Sequence, residues 1–285
     1  MMFQDLYEDK VLVNREVNIR DYDYICGEDR LIYCKNCHSP KQVKIWRNGN
    51  AEIHTCLCHC ETEKRDAEEA EQKRKQNLYR IQRLRDAGLR SPLARHFTFE
   101  NDDGTNGKMF VARSYVEDWE EWKNQNQGLL VSGTCGSGKT FFAGCIANGL
   151  IDRGVPVMMV STPDLLHSLT SLPSREAQDY LDSIDRYSLL ILDDYEPLVK
   201  DSMLHRMLYM IVDRRYTRRK PLIVVTESSL ESIRNAALTD PLNGRVNDRI
   251  LDLCRPVMMT DMNRRQTQRS KNYEIAQLIL SKRRS

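Results

Sequence analysis

A glycine-rich segment at residues 133–140 constrains the fold of this chain of 285 residues more than any other part of it. The segment fits the phosphate-binding pattern G-x-x-x-x-G-K-[ST], follows the apolar run 129–132 and precedes a helix-like run beginning at Phe141. In this order the loop N–H groups and the positive end of the helix face one anion. We therefore expect Lys139 to reach the β- and γ-phosphates of ATP and the Thr140 hydroxyl to ligate Mg²⁺. The predicted ATP-binding residues are Gly133, Thr134, Cys135, Gly136, Ser137, Gly138, Lys139, Thr140 and Phe141, together with Thr226 farther along the chain.

The composition indicates a soluble globular protein, with 40% apolar and 29% charged residues. No apolar run approaches the roughly 20 residues that a membrane helix needs. Residues 1–8 are acidic where a signal peptide would be basic and then apolar. We expect a cytoplasmic protein without a membrane partner. The net charge is only +2, so any affinity for nucleic acid must come from local patches.

Short apolar strands alternate with helical stretches from about residue 111 onward. The predicted strands are 129–132, 157–160, 189–192 and 222–226. This alternation predicts an α/β fold with a parallel sheet between helices. The predicted domains are a cysteine-rich module at 1–60, a charged linker helix at 61–92, an ATPase domain at 93–265 and a basic tail at 266–285. Gly88 and Pro92 are the predicted stop of the linker helix.

Two carboxylates follow the third predicted strand. Asp193 is the expected Mg²⁺ ligand, since a strand ending in Asp near a phosphate loop holds the metal in ATPases of this kind. Asp194 is expected to polarise the attacking water. The fourth strand ends in Thr226 and Glu227, which are candidates for contact with the γ-phosphate or for capping the next helix.

Arg245 and Arg249 are one helical turn apart and therefore share a helix face. One of them is a candidate for insertion into the ATP site of a neighbouring subunit, where it would stabilise transition-state charge. The alternative is an ordinary surface arginine that faces water or pairs with an acid.

Six of the nine cysteines lie between Cys26 and Cys60, which favours a metal site over disulfides. The predicted zinc ligands are Cys34, Cys37, Cys58 and Cys60, with Cys56 and His54 as substitutes. Residues 54, 56, 58 and 60 alternate, so in a strand they would share one face. The turn at 48–50 predicts a hairpin between the two groups. Zinc would supply folding free energy here, and an iron–sulfur cluster is the alternative metal centre.

Two basic clusters are candidate contacts for the phosphates of single-stranded DNA. Their members are Arg214, Arg215, Arg218, Arg219 and Lys220 in the first, and Arg264, Arg265, Arg269, Lys271, Lys282, Arg283 and Arg284 in the second. Solvated surface is the alternative for the second cluster. A subunit interface is the alternative for Arg214 or Arg215.

The ordered set of motifs resembles the DnaC/DnaI/IstB-like branch of AAA+ ATPases, which includes bacterial and phage helicase loaders. The resemblance extends from about Ile81 to Arg265 and rests on segments 97–100, 133–140, 190–194, 211–216, 221–226 and 245–249. It implies that Arg249 is an arginine finger and that Arg265 is a candidate sensor. Relatives usually carry Asn where this chain has Glu227, so the γ-phosphate sensor is left open between Thr226 and Glu227.

The resemblance implies an AAA+ P-loop ATPase that loads a replicative helicase of the DnaB type during DNA replication. ATP, Mg²⁺ and Zn²⁺ are the implied cofactors, and single-stranded DNA and further copies of the chain are the implied partners. A small zinc-bearing N-terminal domain would contact the helicase. The alternatives are a transposition helper ATPase of the IstB type, and a zinc-dependent nucleic-acid adaptor that binds ATP with little turnover.

Overall fold

The computed structural model describes residues 23–47, 49–239, 241–259 and 273. The chain divides into two compact units, Met1–Leu78 and Tyr79–Ser285. Among the described residues, no helix combines the length and the apolar composition needed to cross a membrane.

The first unit contains two small antiparallel sheets and the beginning of a long helix. Its elements are β1 (Tyr24–Ile25), β2 (Ile32–Tyr33), β3 (Gln42–Arg47), β4 (Asn50–Thr55) and α1 (His59–Gly88). β3 and β4 pair along their whole length, from Gln42 opposite Thr55 to Arg47 opposite Asn50. The hairpin predicted from the turn signal is therefore confirmed, and Gly49 adopts the left-handed φ of +84° that the turn requires. Asn48 lies outside the described residues.

Residues 54 to 60 do not form one strand, so their alternation does not place them on one strand face. β4 ends at Thr55 and α1 begins at His59, so Cys60 lies in the first helical turn. The physical reason is a local helix start. The Cys58 carbonyl accepts from Thr62 N at 2.9 Å, and the Glu61 carboxylate accepts from Cys58 N at 3.3 Å. This reciprocal pairing satisfies backbone groups that a helix beginning leaves free, and it outweighs the alternating pattern.

The second unit is built on a five-stranded parallel sheet with the strand order β6–β7–β8–β5–β9. Its strands are β5 (Gly128–Gly133), β6 (Val157–Ser161), β7 (Leu189–Asp193), β8 (Leu222–Thr226) and β9 (Cys254–Met259). The four predicted strands are confirmed. Sequence reasoning missed β9 because Arg255 and Pro256 interrupt its apolar pattern. Proline is tolerated at the edge position that β9 occupies beside β5.

Helices cover both faces of the sheet, as the α/β prediction requires. The remaining elements are α2 (Met109–Glu117), α3 (Trp119–Asn124), α4 (Lys139–Asp152), α5 (Thr162–Thr170), α6 (Ser174–Ile184), α7 (Ser202–Thr217), α8 (Leu230–Thr239), α9 (Pro241–Leu253) and short 3₁₀ turns at Leu93–His96 and Phe99–Asn101. Leu129 and Val131 point into a core shared with α2, α3 and α4. Leu130 points into a second core shared with α5, α6, α7 and α9. Alternate side chains of a central strand thus enter different cores.

The end of α1 packs on the first of these cores through Ile81 and Leu84. Its predicted stop is confirmed at Gly88. A Cβ atom on Gly88 would lie 1.9 Å from the Val157 carbonyl oxygen, so this close approach of backbones requires glycine. Leu89 directly follows the helix and is fully buried.

Candidate functional site

The carboxyl ends of β5, β7 and β8 meet at one edge of the sheet, which is where open α/β sheets bind ligands. A cleft of about 850 Å³ opens there. Five consecutive or nearly consecutive loop and helix residues line it, together with three acids from the other strand ends. These are Gly136, Gly138, Lys139, Thr140, Phe141, Asp193, Asp194 and Glu227. The structure therefore brings most of the predicted nucleotide-binding residues to a single cleft.

The loop between β5 and α4 depends on glycine at its turns. Gly136 and Gly138 adopt φ values of +81° and +92°, a region that residues with a Cβ rarely occupy. The turn is closed by a hydrogen bond from Ser137 N to the Thr134 carbonyl at 3.2 Å. The Ser137 hydroxyl is buried and has no hydrogen-bond partner among the described residues. This conformation exposes N–H groups at the beginning of α4, which suits an anionic ligand.

Lys139 is held over the loop by carbonyl groups of its own chain. Its Nζ donates to the carbonyl oxygens of Gly133 and Thr134, each at 2.9 Å, and lies 3.8 Å from Glu227 Oε1. The side chain is almost completely buried at 6% exposure. An ammonium group with neutral acceptors is free to exchange them for phosphate oxygens, which bind it more strongly.

Thr140 and Asp193 place two hard oxygen ligands beside each other. The Thr140 hydroxyl donates to Asp193 Oδ1 at 3.4 Å, and the same oxygen accepts from Asp194 N at 3.1 Å. Burial raises the pKa of Asp193, and the neighbouring Asp194 charge raises it further. Oxygen donors of this kind suit Mg²⁺, whose positive charge would favour the ionised carboxylate.

Asp194 itself sits on the cleft wall with a left-handed φ of +53°. This is uncommon for a residue other than glycine. The following residue, Tyr195, is buried and donates from its hydroxyl to Asn247 Oδ1 at 2.6 Å. Tyr195 N also donates to the Val225 carbonyl at 2.9 Å. The Asp194 segment is thus fixed both to β8 and to α9.

The two candidates for contact with the γ-phosphate, at the end of β8, differ in whether they line the cleft. The Thr226 hydroxyl is buried and accepts from Ser228 N at 3.0 Å, as in the capping alternative. Thr226 does not line the cleft, whereas Glu227 does. Gly133, Thr134, Cys135 and Ser137 belong to the loop without lining the cleft.

One wall of the cleft was missed by sequence reasoning. It comes from the irregular segment after α1 and includes Arg90, Ser91, Leu93, Ala94 and Phe97. Asn148 of α4 fixes this segment, because its Nδ2 donates to the carbonyls of Ala94 and Phe97 at 2.8 and 3.0 Å. The local signal was limited to three apolar residues, Leu93, Ala94 and Phe97, in a short segment that also contains charged residues.

Four thiols converge in the first unit. They are those of Cys34, Cys37, Cys58 and Cys60, and their Sγ atoms lie within 4.8 Å of one another. The Cys58 and Cys60 Sγ atoms are 3.3 Å apart, and those of Cys34 and Cys60 are 3.7 Å apart. A tetrahedral zinc ion, about 2.3 Å from each sulfur, would separate its ligands by about 3.8 Å. The donor set and its spacing therefore fit zinc.

The two substitute ligands lie outside this cluster. The Cys56 thiol donates to the Pro40 carbonyl at 3.4 Å. His54 Nε2 lies 3.1 Å from Glu52 Oε2. Four thiolate ligands would leave no open position on the metal, as is usual in structural zinc sites.

The sequence profile of the IstB-like ATP binding protein family matches residues 64–272. The chain belongs to this family. The family description names ATP as the ligand, so the cleft described above is the candidate ATP site, and we call it the ATP cleft. Replicative helicase loader DnaC of Escherichia coli (strain K12) is 27% identical over 171 residues, covering 58% of this chain and 66% of that protein.

Two further proteins resemble this chain. Replicative helicase loader DnaI of Bacillus subtilis (strain 168) is 23% identical over 278 residues, covering 90% of this chain and 85% of that protein. The crystal structure of the DnaC helicase loader superposes with a TM-score of 0.52 and 20% identity, covering 59% of this chain and 99% of that one. The second unit therefore has the AAA+ P-loop fold.

Arg249 of this IstB-like protein does not line the ATP cleft of its own chain. Its Nη2 lies 2.7 Å from Asp213 Oδ1 of α7. Its guanidinium stacks over the rings of Tyr209 and Tyr216, at 4.7 and 5.6 Å from their centroids. Arg245 is exposed on the same helix.

Most arginines of the first basic cluster contact acceptor groups within the second unit of this IstB-like protein. Arg215 is 1% exposed and donates to the carbonyls of Tyr187, Ser188 and Pro221 at 2.8, 2.9 and 2.6 Å. The prediction that Arg215 contacts DNA is therefore wrong, because a buried guanidinium with three acceptors cannot reach a phosphate.

Two further members of this cluster pair with an acid. Arg214 donates to Asp185 Oδ2 at 2.6 Å, and Arg218 lies 2.8 Å from the same oxygen. Arg219 is exposed. The second basic cluster, including the candidate sensor Arg265, lies outside the described residues.

Proposed function

We propose that this protein is an ATPase that loads a replicative DNA helicase during DNA replication. One observation carries the proposal. The similarity to DnaI covers 90% of the chain and is therefore not confined to the ATPase domain at 93–265. The similarity to DnaC covers 58%. A relative that resembles this chain along most of its length is thus a helicase loader.

In this proposal the ATP site works through the residues that meet at the strand ends. Lys139 exchanges its carbonyl acceptors for the β- and γ-phosphates. Thr140 and Asp193 would hold Mg²⁺, which when bound would supply positive charge opposite the phosphoryl oxygens. Asp194 polarises the attacking water. Glu227, 3.8 Å from the Lys139 ammonium, is in a position to sense the γ-phosphate.

The proposal assigns a separate role to each part of the chain. Residues 1–60 form the module that contacts the helicase, and zinc held by the four thiolates stabilises it. Residues 61–92 are the linker segment, which contains most of α1, residues 93–265 are the ATPase, and residues 266–285 are a basic tail that contributes contacts with single-stranded DNA.

Self-association completes the ATP site. Arg249 lies away from the cleft of its own chain, so it would act on the cleft of a neighbouring copy. An arginine supplied in this way stabilises charge on the transferring phosphoryl group. ATP would then control assembly as well as hydrolysis.

A pull-down with the replicative helicase of the same organism, with and without ATP, tests the proposal. We expect capture that depends on ATP, and its loss in Lys139→Ala, since that variant lacks the cation for the phosphates. Lys123→Ala is the matched control, because Lys123 is an exposed lysine of α3 that contacts Glu120 at 3.0 Å. Normal ATP-dependent capture by Lys139→Ala would contradict the proposed role of ATP.

A transposition helper ATPase is the second candidate, and the IstB-like family assignment favours it. Such a helper would be captured by a transposase rather than by the helicase. The zinc-dependent adaptor is the third. It would bind ATP in the same assay without releasing phosphate, and steady-state hydrolysis distinguishes it from both ATPases.

A further inference from the structure

Three side chains of α7 surround the guanidinium of Arg249. Asp213 lies 2.7 Å from Nη2, and the rings of Tyr209 and Tyr216 lie 4.7 and 5.6 Å from the guanidinium carbon. We call these three residues the arginine frame. Arg249 and Asp213 are partly covered, with 24% and 31% of their side chains exposed. Partial burial strengthens both the ion pair and the stacking relative to a fully solvated pair.

The frame is encoded by the spacing of its members along one helix. Positions 209, 213 and 216 follow the i, i+4, i+7 pattern that places side chains on one helix face. α7 and α9 pack in the same core, through Leu208 and Val246 among others. The packing of two helices thus brings three residues of one against a single residue of the other.

The frame leaves part of the guanidinium without an acceptor. Arginine has five N–H donors, and Asp213 accepts at Nη2. Nη1 is covered and has no hydrogen-bond partner within the described part of the chain. A covered donor without an acceptor is unfavourable, so a small outward movement that gives Nη1 an anionic acceptor gains free energy.

The surroundings of the frame favour an anion. Tyr209 also lines a cavity of about 470 Å³ together with Arg206 and Arg245. Both arginines are exposed, and neither forms an ion pair or side-chain hydrogen bond in residues 23–47, 49–239 and 241–259. Positive charge at this surface is therefore not neutralised locally, in contrast to the Asp185-centred pairs of Arg214 and Arg218.

We propose that Tyr209, Asp213 and Tyr216 are positioning residues that orient Arg249 toward the phosphates of ATP bound to another copy of this chain. The inference rests on the proposed function, in which Arg249 acts on a neighbouring cleft. The rings fix the plane of the guanidinium and the carboxylate fixes its rotation in that plane. A pre-oriented arginine is already restricted in conformation, so no further side-chain conformational entropy is lost at the moment of reaction.

Steady-state hydrolysis by the assembled full-length protein tests the inference, with kcat, KM and ATP affinity measured separately. We expect Asp213→Asn and Tyr209→Leu each to lower kcat by about tenfold, a modest share of what a transition-state contact contributes, while KM and ATP affinity stay unchanged. Tyr209→Phe keeps the ring and should retain activity. Asp252→Asn, which removes an exposed acid of α9, is the matched control.

A double-mutant cycle separates positioning from general structural damage. If the frame acts through Arg249, Asp213→Asn adds nothing to the loss caused by Arg249→Ala. A further loss in the double variant would overturn the inference, because Asp213 would then act through another group. An increased kcat in Asp213→Asn would also overturn it, since the carboxylate would restrain the arginine rather than orient it.

The two failures are distinguishable. Full activity of Asp213→Asn beside an impaired Arg249→Ala overturns the positioning role alone. Full activity of Arg249→Ala in the assembled protein overturns the proposed action of Arg249 and the frame with it.

Discussion

The two units of this protein bury different kinds of side chain. In the second unit, apolar side chains fill a core on each face of the sheet. In the described part of the first unit, the buried side chains include one leucine, three thiols, a lysine and an aspartate. They are Leu31, Cys34, Cys56, Cys58, Lys41 and Asp23. The second unit is therefore stabilised by burial of apolar surface, whereas the first depends on satisfying polar groups and thiolates.

Lys41 illustrates the dependence of the first unit on polar pairing. Its ammonium is buried and lies 2.8 Å from Asp23 Oδ2 and 3.1 Å from Glu61 Oε1. Glu61 also pairs with the Cys58 backbone at the beginning of α1. A single polar network therefore joins the helix start to the residues around the thiols.

Metal removal provides the largest test of this contrast. Chelation should remove on the order of 10 kcal/mol of stabilisation from the first unit, as for small zinc domains, and leave the second unit folded. Hydrogen exchange followed by mass spectrometry should show lost protection in β3 and β4 and unchanged protection in β5 to β9. Cys58→Ser should behave like chelation, and Cys26→Ser, outside the cluster, should behave like the unaltered protein. Retained protection of β3 and β4 after complete metal removal would contradict the comparison.

A core truncation is the converse test, with an intermediate effect. Leu150 is fully buried in the first core, so Leu150→Ala should destabilise the second unit by about 2–5 kcal/mol through lost burial and a cavity. Urea unfolding followed by the fluorescence of Trp119 and Trp122, in a Trp46→Phe background, measures it.

Leu238→Ala is the control for this truncation, because Leu238 is 86% exposed. Its effect should stay within about 0.5 kcal/mol. Equal destabilisation by the two variants would show that burial does not govern this unit.

The smallest effect is expected for the charged surface of α1. Glu71 contacts Arg74 at 3.1 Å and Lys75 at 3.6 Å, and all three side chains are well exposed. Glu71→Gln should change helix stability by no more than about 0.5 kcal/mol, and less at high salt. Hydrogen exchange of the peptide around residue 71 at two salt concentrations measures it. A loss comparable with that of Leu150→Ala would contradict the contrast between surface charge and buried core.

Local chemistry explains which features could be predicted from sequence. The loop at 133–140 was predictable because glycines at positive φ and a Lys-Thr pair suit few other structures. The four strands were predictable as short apolar runs, and the four cysteines from their spacing. β9 was not predictable, because Arg255 and Pro256 interrupt the apolar pattern of this edge strand, which is defined by its pairing with β5.

Tertiary contacts explain the remaining differences. The sequence around Arg215 looks like a surface cluster. Only the packing of α7 shows that Arg215 is buried and donates to three carbonyl oxygens. The wall at 90–97 has little local sequence signal, because Asn148 from a distant helix fixes it. The arginine frame likewise depends on how two helices pack.

The hydrogen bond between Tyr195 and Asn247 has a consequence for an assembly of such subunits. It joins the segment that follows Asp194 to the helix that carries Arg249, and both partners are buried. Asn247 Nδ2 reinforces the link by donating to the Pro197 carbonyl at 2.9 Å. A displacement of the strand end on nucleotide binding would therefore be transmitted to α9. In the proposed assembly, the state of one cleft would be communicated to the next in a single direction, which would give a row of identical chains a polarity.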